Sequence, residues 1–261
     1  MSTPPISPRL PESVHPRGVR LLHTSDVHLG SDRDGGHRGG SPQAASVAGL
    51  QNLIALSRRH AADLLLIAGD FFDHNRIDFE LTNAVAALFE DAAIPIVILP
   101  GNHDPYMANS VYARHRFPEN VRILRDRAGE LIVLPELGVQ VWGQAHTDYF
   151  DFAPLGVSPA WLDQSDKPLW RIAVAHGLYV RSDYETRLSY RIHDHELEAL
   201  QAHYVGLGHL ERHEQIGRCA YYAGAPGLSN GATVVDLTPN GVVVRHAKFE
   251  TKCASGAAIH S

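Results

Sequence analysis

Five short stretches of this chain carry residues that hold cations or move protons. They are Asp26 and His28 in TSDVHLG, Asp70 in AGDFFD, Asn102 and His103 in PGNHD, His176 in AHG, and His209 in LGHLE. Each follows an apolar run. In four of them glycine adjoins the polar residue (Gly69-Asp70, Gly101-Asn102, His176-Gly177, Gly208-His209), which permits tight turns and close backbone approach. A lone aspartate or histidine at a strand end is more often a turn former or helix cap than a ligand. Five such ends sharing one residue chemistry point instead to a site. Carboxylate, amide and imidazole donors without thiolates suit Mn, Fe, Zn or Mg rather than a thiolate zinc site. The donors outnumber what one ion needs, so two ions about 3.5–4 Å apart and sharing a carboxylate are expected.

The elements that must position these residues are legible from periodicity. GVRLLHTSD, DLLLIAGD and IPIVILPGNHD read as buried strands ending in polar loops. Between them, residues 43–60 place Val47, Leu50 and Ile54 on one helical face, and residues 79–92 do the same with Leu81, Val85, Leu88 and Phe89. This β-α-β-α-β order implies a parallel sheet covered by helices, with ligands gathered beyond the carboxyl ends of its strands. In the second half, ELIVLPELGVQVWG reads as two short strands around a turn at Glu136 to Gly138. LWRIAVAHG and HYVGLGH read as buried strands with a helix over about 194–202 between them. IGRCAYYAG, ATVVDLT and GVVVRHAKF are expected to finish as an antiparallel meander, the last two joined at Pro239-Asn240-Gly241. One domain over 18–249 is expected, with a disordered leader at 1–17 and a tail at 250–261.

Composition narrows the class. The chain has 261 residues, 44% hydrophobic and 20% charged, as in ordinary soluble domains. No apolar run reaches membrane-spanning length. Five prolines before residue 17 exclude a signal peptide there. Two cysteines, Cys219 and Cys253, without CxxC spacing argue against a disulfide framework and make a reducing cytoplasm the default compartment. A formal charge of -6 argues against coating nucleic acid by charge alone and leaves a local basic groove open. No G-x-S-x-G or Cys-His arrangement suggests a covalent intermediate.

Taken in order, DVH, GDFFD, GNHD, HG and GH resemble the calcineurin-like metallophosphoesterase superfamily. LLHTSDVHLG, ADLLLIAGDFFD and YVGLGHLERHEQI resemble in particular its SbcD-type DNA repair exonuclease branch. The resemblance runs from about Val19 to Phe249. It implies an α/β (α+β) fold, a four-layer α-β-β-α sandwich of two mixed sheets flanked by helices. It also implies a first ion on Asp26, His28, Asp70 and the residue closing a Gly-His-x-His motif, and a second on Asp70, Asn102, His176 and His209. His103 is then no ligand but the acid or positive partner beside the leaving oxygen, with Asp104 orienting it. Two divalent ions, manganese foremost, would lower the pKa of a bridging water and clamp the nonbridging oxygens for in-line attack.

This sequence departs from the family pattern at one ligand. Glu211 stands where histidine is expected, and a carboxylate there favours harder ions. His213 is a rival ligand if the loop bulges, and an incomplete first site is the third possibility. Asp73 and His74 could line the site or serve a turn. His23 is expected in packing or behind the ligands, and His146, His193 and His195 at the surface. Arg181, Arg187 and Arg191 follow His176 as substrate contacts. The run from Arg114 to Arg127, with five arginines against two acids, is a solvated face or a phosphate contact. A metal-dependent phosphodiesterase of nuclease-like ancestry is the leading expectation. Its rivals are a small-molecule phosphomonoesterase or phosphodiesterase, and a non-catalytic scaffold. The substrate is a phosphoester, DNA among the options, with no membrane partner. SbcD-type proteins continue into DNA-capping and ATPase-docking segments, and this chain ends about a dozen residues after its last strand. On this reading an ATPase partner is doubtful.

Overall fold

The computed structural model describes residues 18–31, 42–163, 169–181 and 187–250. The expected leader, and the expected tail beyond Glu250, lie outside the described residues. The chain first lays down β1 (Val19–Thr24), α1 (Pro42–Arg59), β2 (Leu64–Ala68), α2 (Phe79–Ala92), β3 (Ile96–Leu99), the short α3 (Val111–Arg114) and β4 (Val121–Ile123). It continues through β5 (Glu130–Leu134), β6 (Val139–Gly143), a 3-10 turn at Ala160–Asp163, β7 (Trp170–His176), and a small ribbon of β8 (Leu178–Tyr179) and β9 (Arg191–Ile192). It closes with α4 (Asp194–Ala199), β10 (Tyr204–Gly208), β11 (Glu214–Ile216), β12 (Ala220–Tyr222), α5 (Pro226–Ser229), β13 (Gly231–Thr238) and β14 (Gly241–Lys248).

Two mixed six-stranded sheets result, in the orders β14-β13-β1-β2-β3-β4 and β11-β12-β10-β7-β6-β5. Strands β1 to β4 are mutually parallel, as the alternating first half predicts. Strand alternation divides the side chains between layers. Leu21, Leu64, Leu66, Val97 and Leu99 face the second sheet and meet Val139, Val141, Ile172, Val174 and Tyr204. Leu22, Leu65, Ile67, Ile96 and Ile98 point the other way, under Leu50, Leu53, Ile54, Leu81, Val85 and Phe89 of α1 and α2. Burial on both faces explains why β2 reads LLLIA without polar interruption. Each such side chain contributes roughly 1.5–3 kcal/mol on burial. The outer face of the second sheet is closed by Trp161, Leu155, Ile192 and Leu200 over Trp142, Ala173, Val205 and Leu207. This fourth layer is the 3-10 turn, the short α4 and connecting chain rather than long helices.

The fold departs from expectation in three places. The closing segments form no single meander: β11 and β12 pair in the second sheet, with β12 parallel to β10, while β13 and β14 return to the first sheet beside β1. Alternation reports which face of a strand is buried, not which sheet it joins. The helix expected over 194–202 stops at Ala199. The arginine-rich run contains β4, whose Val121 and Ile123 are buried while Arg122 is exposed.

His23, on β1 between the sheets, has no exposed surface, and its Nδ1 lies 2.8 Å from the Tyr204 hydroxyl. Burial, with a smaller contribution from His213, pushes its pKa down to about 3. The unfolded chain takes up a proton here near pH 6.5 and the folded one only near 3. The stability supplied by the neutral imidazole is therefore complete above about pH 6.5 and is lost as pH falls toward 3. At about 1.4 kcal/mol per pH unit this reaches roughly 4–5 kcal/mol. Urea unfolding followed from about pH 7 to 4 should show that decline, and His23→Gln should flatten it. An unchanged acid limb in the variant would show that His23 is not responsible.

Candidate metal centre

The five motif loops leave the carboxyl ends of five strands, three adjacent in the first sheet and two adjacent in the second. Asp26 and His28 follow β1, Asp70 follows β2, and Asn102 and His103 follow β3. His176 ends β7 and His209 follows β10. The loops are stitched to one another. The amides of Asp26 and His28 donate to the carbonyls of Gly69 and Asp70 at 3.0 and 3.1 Å. Across the sheets, the His209 amide donates to both Asp26 carboxylate oxygens at 3.0 and 3.2 Å. Glycine is required where the backbones meet: a Cβ on Gly69 would lie 2.1 Å from His176 Nδ1, and one on Gly208 would lie 1.8 Å from the Ala68 carbonyl oxygen.

Asp70 sits at the centre. Its Oδ1 accepts the His103 amide at 2.9 Å, and its Oδ2 lies 3.1 Å from His176 Nε2 and 3.9 Å from His28 Nε2. His176 Nδ1 donates to the Ala68 carbonyl at 2.9 Å, which leaves Nε2 as the ring's lone-pair position. Nε2 is also 3.0 Å from Asn102 Oδ1, and that same oxygen is 3.1 Å from His209 Nδ1. Lone pairs from an imidazole, a carboxylate and an amide thus converge on one point, an arrangement that calls for positive charge there, a proton or a cation. Among the described residues, two groups gather ligand atoms closely enough for an ion: His28, Asp70 and His103, and Asp70, His176 and His209. They share Asp70. The donor set fits divalent metals with mixed oxygen and nitrogen ligation.

The electrostatics agree. Burial disfavours charge on His176, but Asp70 outweighs it and raises the imidazole to about 9, so the site draws positive charge inward. Burial likewise opposes ionisation of Asp70, yet His176 holds its carboxyl well below the usual range. Burial pushes Asp26 up, His176 counters, and the Asp70 charge adds to the rise. His209 is pushed down to about 4 by burial and the charge of His176. Four of the seven expected ligands, Asp26, His28, Asp70 and His209, have φ of 52°, 51°, 49° and 92°. This left-handed backbone is costly for residues with a Cβ, of order 1–3 kcal/mol each, and concentrates at functional sites.

Asp73 is closer to the centre than its motif suggests. Its carboxylate accepts from His28 Nδ1 at 2.9 Å, and its carbonyl faces His103 Nδ1 at 3.0 Å. One residue thereby turns the Nε2 atoms of both rings away from itself, and the rings meet edge to face at 4.7 Å. Asp104, expected to orient His103, is fully buried behind the loops, and the His103 ring nitrogen faces the Asp73 carbonyl. Asp104 accepts from Gly101 N at 2.7 Å, Phe72 N at 2.9 Å and Tyr112 OH at 2.6 Å, pinning the β2 and β3 loops together. Burial, reinforced by Asp70, raises its carboxyl to about 6.

Other expected residues lie further out. Glu211 is exposed, outside both ligand groups, on a loop that shares a cavity of about 710 Å³ with His209, Arg212 and His213. His213 is also outside both groups, with Nδ1 engaged by the Thr233 hydroxyl at 2.9 Å. Arg181 and Arg187 are exposed on either side of residues 182–186, which lie outside the described residues, and Arg191 is exposed on β9. His146, expected at the surface, is instead fully buried. Its Nε2 meets the His176 carbonyl at 2.9 Å, and its ring packs on Phe152, Tyr190 and His176. Tyr190 in turn lies 6.0 Å from the His209 ring. His146 follows β6 as the ligands follow their own strands, so the strand-end rule could have found it. Nothing in the sequence marks Tyr190.

Residues 19–224 match the family model described as calcineurin-like phosphoesterase. The SbcD subunit of the nuclease SbcCD from Bacillus subtilis is 26% identical over 270 residues, covering 85% of this chain and 67% of that protein. Its namesake in Rhodobacter capsulatus is 28% identical, covering 87% of this chain and 68% of its own length. The Escherichia coli protein of that name is 33% identical over 89 residues, or 21% of its length. The family match spans every strand end described above and most of the chain, and it settles the ancestry: this chain belongs to the calcineurin-like phosphoesterase family and is a phosphoester hydrolase.

Proposed function

We propose that the chain is a metal-dependent phosphodiesterase of nuclease-like type with a dinuclear centre. The observation that carries this is the convergence of lone-pair donors from Asp70, Asn102 and His176 on one point, with Asp70 common to both ligand groups. Asp26, His28, Asp70 and Glu211 would hold the first ion, and Asp70, Asn102, His176 and His209 the second. When bound, such ions supply a nucleophilic water at neutral pH and positive charge against the nonbridging oxygens. The added carboxylate of Glu211 favours a hard ion, manganese before iron, zinc or magnesium. His103 is half exposed, with Nδ1 turned to the Asp73 carbonyl, and when its ring carries both protons the one on Nε2 is placed to go to the departing alkoxide. The name shared by the relatives, a nuclease subunit, supports DNA among the substrates. No helix of the described residues is long and apolar enough to cross a membrane, and the cytoplasm is the compartment proposed.

The test is metal analysis of the purified protein together with hydrolysis of bis(p-nitrophenyl) phosphate in added manganese. Two bound ions and manganese-dependent turnover are expected, and a protein with neither is a scaffold. Hydrolysis of the small diester without cleavage of single-stranded or duplex DNA would select the small-molecule reading.

Glu211→Ala tests the first ion separately. Metal content should fall from two ions toward one, and turnover should drop by at least about tenfold, the lower range for disturbing a metal site's support. Two ions retained in the variant would remove Glu211 from the ligand set.

A further inference from the structure

We propose that a cavity lined by the residues that follow Asp73 holds a nucleotide unit of the nucleic-acid strand being cleaved, a proposal that deepens the phosphodiesterase reading. The cavity, about 650 Å³, opens between the loops that follow β2, β3 and β6, and is lined by His74, Asn75, Arg76, Met107, Arg114 and Tyr149. That volume lies within the range of small-ligand sites. Its lining is connected to the centre through the chain itself. Asp73, which holds His28 and His103, precedes His74, and Arg76 lies three residues on, at most about 11 Å of extended backbone.

Its charge is positive and not neutralised. Arg114 is oriented by backbone carbonyls, Nε donating to Asn109 O at 3.1 Å and Nη2 to Asn75 O at 2.7 Å. Those oxygens aim the guanidinium without cancelling its charge. Among the described residues Arg76, which is exposed, enters no ion pair and no carboxylate lines the cavity. Some arginines elsewhere on this acidic surface are paired, as in Arg58–Asp91, Arg127–Asp148 and Arg212–Glu214, and these two, among the described residues, are not. Two uncompensated guanidinium groups at one opening match a phosphate.

The wall is aromatic. Tyr149 is 58% exposed, and its backbone carbonyl accepts from the Tyr190 hydroxyl at 3.5 Å, tying it to the ring beside His209. An exposed ring next to phosphate-binding arginines is how single strands are held without sequence preference, by stacking a base while cations follow the backbone. The floor is rigid, because Asn75 is buried with its amide donating to Pro105 O at 2.9 Å and its oxygen accepting from Val111 N at 3.0 Å. A simple diester has no second phosphate and no base to fill this cavity, whereas a strand presents both.

The experiment measures binding of fluorescein-labelled pentathymidylate, and of an abasic pentamer of equal charge, by fluorescence anisotropy in EDTA. Hydrolysis of both pentamers and of bis(p-nitrophenyl) phosphate in manganese is followed in parallel. Arg76→Ala should raise Kd for both pentamers about tenfold and make the salt dependence shallower by about one phosphate contact. Arg76→Lys should recover most of the loss. Tyr149→Ala should weaken pentathymidylate about tenfold, within the range for one stacked base, and leave the abasic strand unmoved. Because Arg114 is tied to the backbone, the exposed Arg76 and Tyr149 are the decisive positions. Absence of strand binding by the unsubstituted protein, or equal affinity in Arg76→Ala, overturns the cavity's assignment even if the small diester is hydrolysed. Strand binding that responds to both substitutions, in a protein that hydrolyses no diester, keeps the cavity and overturns the catalytic reading.

Discussion

Asp70→Asn should abolish turnover, by roughly 10²–10³-fold or more, the range seen on removing one preorganised electrostatic group from a water-excluded site. Asp70 is the one residue common to both ligand groups, and each of its oxygens is committed: one to the His103 amide, the other to His176 and toward His28. Asparagine keeps the shape but removes the charge that raises His176 and presents an amide N–H where a lone pair is needed. Both ions should therefore be weakened together. Metal content and bis(p-nitrophenyl) phosphate turnover would be measured on protein whose Tm shows it folded. Two ions retained with near-normal turnover would refute the bridging role.

His103→Ala should behave differently. The ring stands half exposed beside His28, held at Nδ1 by the Asp73 carbonyl, and only its backbone amide touches Asp70. Alanine preserves that amide, so metal content should hold while turnover falls by about 10²–10⁴-fold, the usual contribution of a positioned proton donor. The loss should be smaller for substrates whose leaving group needs no protonation, such as a nitrophenolate, than for an alkoxide leaving from a nucleotide. Loss of an ion in this variant would mean that His103, which shares a ligand group with His28 and Asp70, is a ligand after all.

Most of these residues are legible in the sequence. Buried parallel strands advertise themselves as unbroken apolar runs, and the polar residue that ends each run must emerge at one edge of the sheet. Asp26, Asp70, Asn102, His176 and His209 are therefore found by position and type together. Asp73 is visible too, but three residues past Asp70 it reads equally as a turn former or a lining residue. Only the folded loop puts its carboxylate on His28 and its carbonyl on His103. His146, three residues past the end of β6, is within reach of the same rule, but only the folded chain shows its ring buried against Phe152, Tyr190 and His176.

What the sequence determined by itself is the chemistry and its order along the chain: five strand ends bearing mixed oxygen and nitrogen donors, the first three separated by helices that make β1, β2 and β3 parallel. Those properties follow from local periodicity and residue type. What only the tertiary structure decided is which ends meet. The return of β13 and β14 to the first sheet, the bond from His176 across to the Ala68 carbonyl, and the left-handed backbone at Asp26, His28, Asp70 and His209 depend on contacts between residues far apart in the chain, 183 positions in the His209–Asp26 bond and 218 in the pairing of Val19 with Leu237. Alternation specifies which face of a strand is buried. The partner across the sheet is selected by packing of the whole core, which no single segment encodes.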